Sequence, residues 1–299
     1  MTASGSIPAP TTSIEELEAR FIRWAETEEQ IRAALVVGSR ARDDHPADPW
    51  ADLDILLFVD PVERYRDSIE WIRTLSPVWA STAGRTVTGD PERLVIFEGG
   101  LQVDFVFSTL ATLHQARRMV EADALPDILR RGARVLVDKD QLIPPLPAPG
   151  KPPPRTPPTE AEFQRALEGF WFSAVYCAKQ LRRGELWTFQ NASGGMQGPL
   201  LRMVEWHAHI VHGWDHDTWH GGKFLSEWAD PEVYADLRET FAHLNTADGW
   251  RAMQARLALF HRLAREVATR LGYAYPNELE GHIAGYVDTL RQARQVTSR

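Results

Sequence analysis

The spacing of apolar positions changes along this chain, and each spacing predicts a kind of element. Ile14, Leu17, Phe21 and Trp24 recur at helical intervals behind Ser13 and Glu16, a capping-box pattern, while residues 1–12 read as a frayed tail. Two continuous apolar runs, 31–37 and 52–59, are bounded by turn residues and read as buried strands. Pro61 suits the first turn of a helix whose face continues through Tyr65, Ile69 and Ile72. A short strand is expected near Pro77–Ala80, then an exposed loop from Ser81 to Asp90. Residues 93–97 and 101–107 alternate as strands around Glu98-Gly99-Gly100, a hairpin signal. Thr109 to Val120 reads as a helix, and Arg134–Asp138 as a last strand.

Residues 144–158 hold nine prolines in fifteen positions, a composition that favours extended backbone and marks a linker. Beyond it the pattern is helical throughout. A second capping box, Thr159 with Glu162, opens a run towards Leu181. Further helices are expected near 199–213, 231–244, 248–272 and 278–295, with breaks at Gly194-Gly195, Gly221-Gly222 and Pro276. The chain therefore divides into an α+β domain over 13–143, a mixed sheet with helices, and an all-helical domain over 159–295.

Candidate chemistry concentrates where the first strand ends. Gly38-Ser39-Arg40 stops that strand, and glycine there lets backbone approach a ligand closely. Asp52 and Asp54 stand two residues apart in an extended run, so both carboxylates project from one face. Asp104 is a lone carboxylate in an otherwise apolar strand, which is costly unless it is paired or binds a metal. Like charges this close repel unless a cation lies between them, and hard oxygen ligands suit Mg²⁺. Two or three carboxylates converging on one point are what a two-metal nucleotidyl transfer requires. The plainer alternative is a polar loop with solvated aspartates at a strand start. No GxxxxGK[ST] string occurs, which disfavours a P-loop kinase.

A Gly-Ser turn followed by Asp-x-Asp in an apolar strand resembles the nucleotidyltransferase superfamily. The fuller string GSR…W-x-D-x-D-I resembles the aminoglycoside 6-adenylyltransferases, the streptomycin-modifying branch. Segments after the linker extend the resemblance, including Glu168-Gly-Phe-Trp-Phe, Leu201-Arg-Met-Val-Glu205-Trp206-His207, and the stretch from Phe260 to Tyr275. It covers residues 15 to 292 and implies a polymerase-beta-like catalytic domain with ATP as co-substrate. It assigns Asp52 and Asp54 to two Mg²⁺ ions, and Asp104 to the one nearest the attacking hydroxyl. It sets Gly38 and Ser39 against the triphosphate, with Arg40 a phosphate contact. Asp104 is also the expected base. From the helical side Lys179 is expected to reach the triphosphate, and Glu168 or Glu205 to orient the acceptor. Glu205 beside Trp206 offers a carboxylate for an ammonium or guanidinium and an aromatic face for a sugar. For Lys179 and Trp206 the plain alternatives are a solvated lysine and a core indole. The implied reaction makes an O-adenylyl-aminoglycoside and pyrophosphate.

Composition narrows the partners. A net charge of −8 argues against a nucleic-acid surface, which would be basic, and is compatible with a polycationic small substrate. The N-terminus lacks a signal-peptide pattern, no apolar run is long enough to span a membrane, and the one cysteine, Cys177, fits a reducing compartment. A cytoplasmic monomer is expected. His212 and His216 are i, i+4 apart, yet Gly213 breaks the helix that a zinc site there would need. The rival functions are the same transfer onto another small molecule or a protein hydroxyl, and a non-catalytic, antitoxin-like binding protein.

Overall fold

The computed structural model describes residues 12–122 and 125–293 and divides at Pro152/Pro153 into two compact units. The expected tail lies outside the described residues, apart from Thr12, which is buried.

The first unit is built on a sheet of six strands: β1 (Ile31–Val37), β2 (Leu53–Val59), β3 (Val78–Arg85), β4 (Pro91–Phe97), β5 (Gln102–Ser108) and β6 (Arg134–Asp138). They lie in the order β3-β4-β5-β2-β1-β6, with β2 and β5 parallel and every other pair antiparallel. Strand periodicity sorts the side chains onto two faces. Leu53, Ile55 and Leu57 of β2 join Val103, Phe105 and Phe107 of β5 in one core. Helix α1 (Ile14–Thr27), capped by Ser13, closes that face with Leu17 and Phe21. The opposite face buries Ala33, Leu35, Val37 and Phe58 under Leu113 of α4 (Leu110–Glu121).

Local chemistry sets the connections. The expected helix after Pro61 forms as two short pieces, α2 (Val62–Asp67) and α3 (Glu70–Arg73), because Ser68 turns extended between them and its hydroxyl accepts the Glu70 N–H at 3.2 Å. The expected loop from Ser81 to Asp90 is largely strand. β3 runs to Arg85, and only Thr86–Asp90 turns, closed by the Thr86 N–H to the Asp90 carbonyl at 2.9 Å. This is the sheet's edge, so β3 pairs on one side only, most of its side chains are exposed, and it lacks the apolar alternation that betrays a strand. A further short helix, α5 (Asp127–Arg130), precedes β6.

The second unit is helical: α6 (Glu160–Arg183), α7 (Leu186–His212), α8 (Leu225–Trp228), α9 (Pro231–Glu239), α10 (Thr246–Leu271) and α11 (Asn277–Gln292). Thr159 and Glu162 form the full capping box at the start of α6. The core gathers Phe163, Phe170, Trp171, Met203, Phe260 and Leu263, with the Phe170 and Phe260 rings stacked 3.6 Å apart. The break expected at Gly194-Gly195 is absent, since α7 continues through both residues and through Pro199. A Cβ at Gly195 would stand 2.7 Å from the Ser173 hydroxyl oxygen, so this glycine sits where α6 and α7 press together. The helix expected over 231–244 ends at Glu239, and residues 294 and 295 of the last expected helix lie outside the described residues.

Candidate active site

Register brings two of the three aspartates together. Asp54 sits beside Asp104 across the parallel β2–β5 pair and beside Val37 across the antiparallel β1–β2 pair. Asp52 lies one residue before β2 begins. One carboxylate oxygen from each of Asp52, Asp54 and Asp104 falls within 4.8 Å of the other two, and all three residues are half-buried. Among the described residues this is the one such group able to hold a metal ion. Burial pushes the Asp104 carboxyl above the usual range, against the pull of the Gln102 amide, and the charges of Asp52 and Glu92 add to the rise. Three crowded oxygen donors fit a hard divalent cation, which would relieve their repulsion.

The turn Gly38–Arg40 abuts this cluster. Gly38 has φ +74°, and a Cβ there would lie 2.2 Å from Oδ2 of Asp54, so the position excludes a side chain on two counts. The Ser39 Oγ is buried without a hydrogen-bond partner. An orphaned hydroxyl beside a carboxylate cluster is a ready donor to a ligand oxygen. Arg40 turns back instead, its Nε donating to the Asp52 carbonyl at 3.0 Å and its Nη2 to the Ala51 carbonyl at 2.9 Å.

Two arginines escaped the reading of the sequence. Arg42 donates from Nε to the carbonyls of Asp44 and His45, each at 2.9 Å. Burial lowers its guanidinium pKa, and the charges of Asp44, Asp54 and Asp52 oppose that fall while Arg131 reinforces it. Arg131 is 4% exposed and pairs with Asp44 at 3.4 Å. Gly132, at φ +151°, lets this segment press on the loop, since a Cβ there would lie 2.0 Å from the Ala41 carbonyl oxygen. The repeated arginine in Gly-Ser-Arg-Ala-Arg was the available signal for Arg42. Nothing local marked Arg131.

In the helical unit Glu205 and Trp206 follow one another on α7. Glu205 is half-buried, and burial pushes its carboxyl up to about 7 despite Arg202 and Arg155 nearby. The Trp206 ring packs 6.3 Å from Phe163 at the edge of the core. Glu168 is exposed on α6, as is Lys179, whose ammonium lies 5.8 Å from the centre of the Tyr286 ring on α11. The His212 and His216 rings lie 4.7 Å apart, and His207 Nδ1 stands 3.6 Å from Asp230. His207 Nε2 lies 2.8 Å from Glu266, His212 Nε2 lies 3.2 Å from Asp230, and His216 Nε2 lies 2.9 Å from the Trp228 carbonyl. Cys177 is buried and its thiol pushed up to about 11, a packing residue and not a nucleophile.

The carboxylate cluster, set on adjacent strands beside a Gly-Ser turn, has the arrangement that a nucleotidyltransferase needs. A family model described as Streptomycin adenylyltransferase matches residues 11–290, and the chain belongs to that family of enzymes. An aminoglycoside 6-adenylyltransferase of Bacillus subtilis (strain 168) is 26% identical over 278 residues, covering 90% of this chain and 95% of that protein. One from Campylobacter jejuni is 26% identical over 273 residues, covering 85% and 88%. A crystal structure of an aminoglycoside 6-adenyltransferase from Bacillus subtilis aligns over 94% of this chain and 98% of that one, with 20% identity and a TM-score of 0.45. Among the described residues no helix is long and apolar enough to cross a membrane.

Proposed function

We propose that the protein transfers AMP from ATP to a hydroxyl of an aminoglycoside, with streptomycin the favoured acceptor. The observation that carries this is the convergence of Asp52, Asp54 and Asp104 within 4.8 Å. Family membership and the names of the relatives support the choice of acceptor. Asp52, Asp54 and Asp104 would together hold two Mg²⁺ ions. Bound Mg²⁺ supplies neutralising charge at the phosphates and lowers the pKa of a nearby hydroxyl.

The chain's own groups do the rest. The Gly38 N–H and the Ser39 hydroxyl donate to triphosphate oxygens. The acceptor oxygen attacks the α-phosphorus, the α–β bridge breaks, and pyrophosphate leaves with the bonding pair. Asp104 takes the hydroxyl proton. Glu205, with Glu168, pairs with cationic groups of the acceptor, and Trp206 offers the edge of an aromatic surface.

Pyrophosphate release from ATP, Mg²⁺ and streptomycin tests the proposal. Turnover is expected in the unmodified protein, with a loss on the order of a thousandfold in Asp52→Asn or Asp104→Asn. An aminoglycoside panel without turnover, while ATP and Mg²⁺ bind, would sink the acceptor. Failure of ATP and Mg²⁺ to bind would sink the metal-assisted mechanism.

A further inference from the structure

We infer that Arg40 acts on the proposed metal site as a positioning residue, fixing the main chain of Asp52 where the sheet does not. The three carboxylates are held in two different ways. Asp54 and Asp104 lie inside strands, each with a fixed partner across a ladder, so register sets their direction. Asp52 precedes β2, which begins at Leu53, and lies outside the strand pairing. What holds it is the Arg40 guanidinium. Nε and Nη2 bridge the successive carbonyls of Asp52 and Ala51 at 3.0 and 2.9 Å. A planar fork with two parallel donors fits two neighbouring carbonyls and pins both peptides at once. The remaining nitrogen, Nη1, lies 3.9 Å from the Glu15 carboxylate in the first turn of α1. Only 17% of the Arg40 side chain is exposed, so these bonds are sheltered from competing water.

The local turn explains the geometry. Gly38–Arg40 makes one 3-10 turn after β1, which sends residue 40 back across the start of β2, twelve positions later in the chain. The same turn offers the Ser39 hydroxyl to a ligand. Within one turn, Ser39 thus serves the triphosphate and Arg40 serves the metal ligand. The inference rests on the reading of Asp52 as a metal ligand, and its test separates the two.

Mn²⁺ binding, followed by electron paramagnetic resonance with no nucleotide present, reads the site directly. Arg40→Lys keeps the charge and loses the fork. Its Mn²⁺ affinity is expected to fall about tenfold, and that of Arg40→Gln by more, the range seen when a group orienting a metal ligand is removed. ATP affinity measured in EDTA should stay within about twofold, because the triphosphate donors are untouched. In turnover, half-saturating Mg²⁺ should rise while KM for ATP at saturating Mg²⁺ holds. Circular dichroism of each variant establishes that the fold is intact. Unchanged Mn²⁺ affinity in both Arg40 variants would overturn the inference, and an ATP affinity that falls equally in EDTA would overturn it by making Arg40 a phosphate contact. If the unmodified protein binds no Mn²⁺, or Asp52→Asn binds it as well, the metal reading itself falls.

Discussion

Glu205 is harder to ionise in the fold than in the unfolded chain. Burial raises its pKa from the ordinary 4.5 to about 7, and each unit of such a shift is worth about 1.4 kcal/mol. A group whose pKa is higher in the fold contributes stability below the unfolded value and loses it as pH rises through the folded one. The contribution is therefore full below pH 4.5 and gone above about 7. Urea unfolding at pH 5 and pH 8 should show the protein losing more stability over that interval than Glu205→Gln, which cannot ionise. Taking the difference removes the groups common to both, and a difference that does not vary with pH would refute the shift. Other single residues show how far sequence alone reaches. Glycine at position 38 read as a close approach of backbone to a ligand, but the carboxylate it also makes room for is Asp54, a contact that only the β1–β2 register reveals. Asp104 was legible as a charge in an apolar strand. Arg131 was not, because its place against Asp44 depends on the loop after Gly38 folding towards β6.

Among elements, the ones read well carry strong apolar periodicity, and those misread are where glycine or polar residues serve tertiary packing. The hairpin of β4 and β5 was visible from its alternation, whereas β3 was not, since an edge strand exposed on both faces has no apolar side to declare. In α7, Gly194-Gly195 looks like a helix stop, for glycine costs about 1 kcal/mol relative to alanine in a helix interior. The two glycines differ in their surroundings. A Cβ at Gly194 meets nothing within 4 Å, while one at Gly195 would lie 2.7 Å from Ser173 Oγ and 3.3 Å from Ser173 Cβ. Gly194→Ala should therefore stabilise by about 0.5–1 kcal/mol, through helix propensity alone. Gly195→Val should destabilise by about 1–3 kcal/mol, because a branched side chain has to push α6 away. Thermal melts of the pair decide the matter. Equal shifts of the same sign would mean that the close approach of α6 and α7 at Ser173 is not what keeps residue 195 small.

At the scale of the whole molecule, each unit has its own interior. The helical core runs from Phe163 to Val287, and the two sheet cores lie between Ile14 and Leu146. The proline-rich stretch between them is tied down on both sides. Leu146 packs into a sheet core and the Gly150 N–H reaches the Arg130 carbonyl at 3.0 Å, while the Arg155 N–H bonds to the Trp214 carbonyl at 2.7 Å and the Pro158 carbonyl takes the Tyr273 hydroxyl. Units with separate cores are expected to unfold as separate cooperative steps. Calorimetry should resolve two transitions. A ligand that binds only the folded state stabilises it by about 2.7 kcal/mol at a hundred times its Kd. For a unit of this size that is a shift of roughly 5–10 °C. Mg²⁺ with a non-hydrolysable ATP analogue should raise the transition of the sheet unit, and Asp54→Asn should abolish the rise. The helical transition is identified independently, as the one that Gly195→Val lowers. A streptomycin shift confined to that transition would support acceptor contacts on α6 and α7, through Glu168 and Glu205. A single transition that all these ligands and variants move together would refute independent unfolding of the two units.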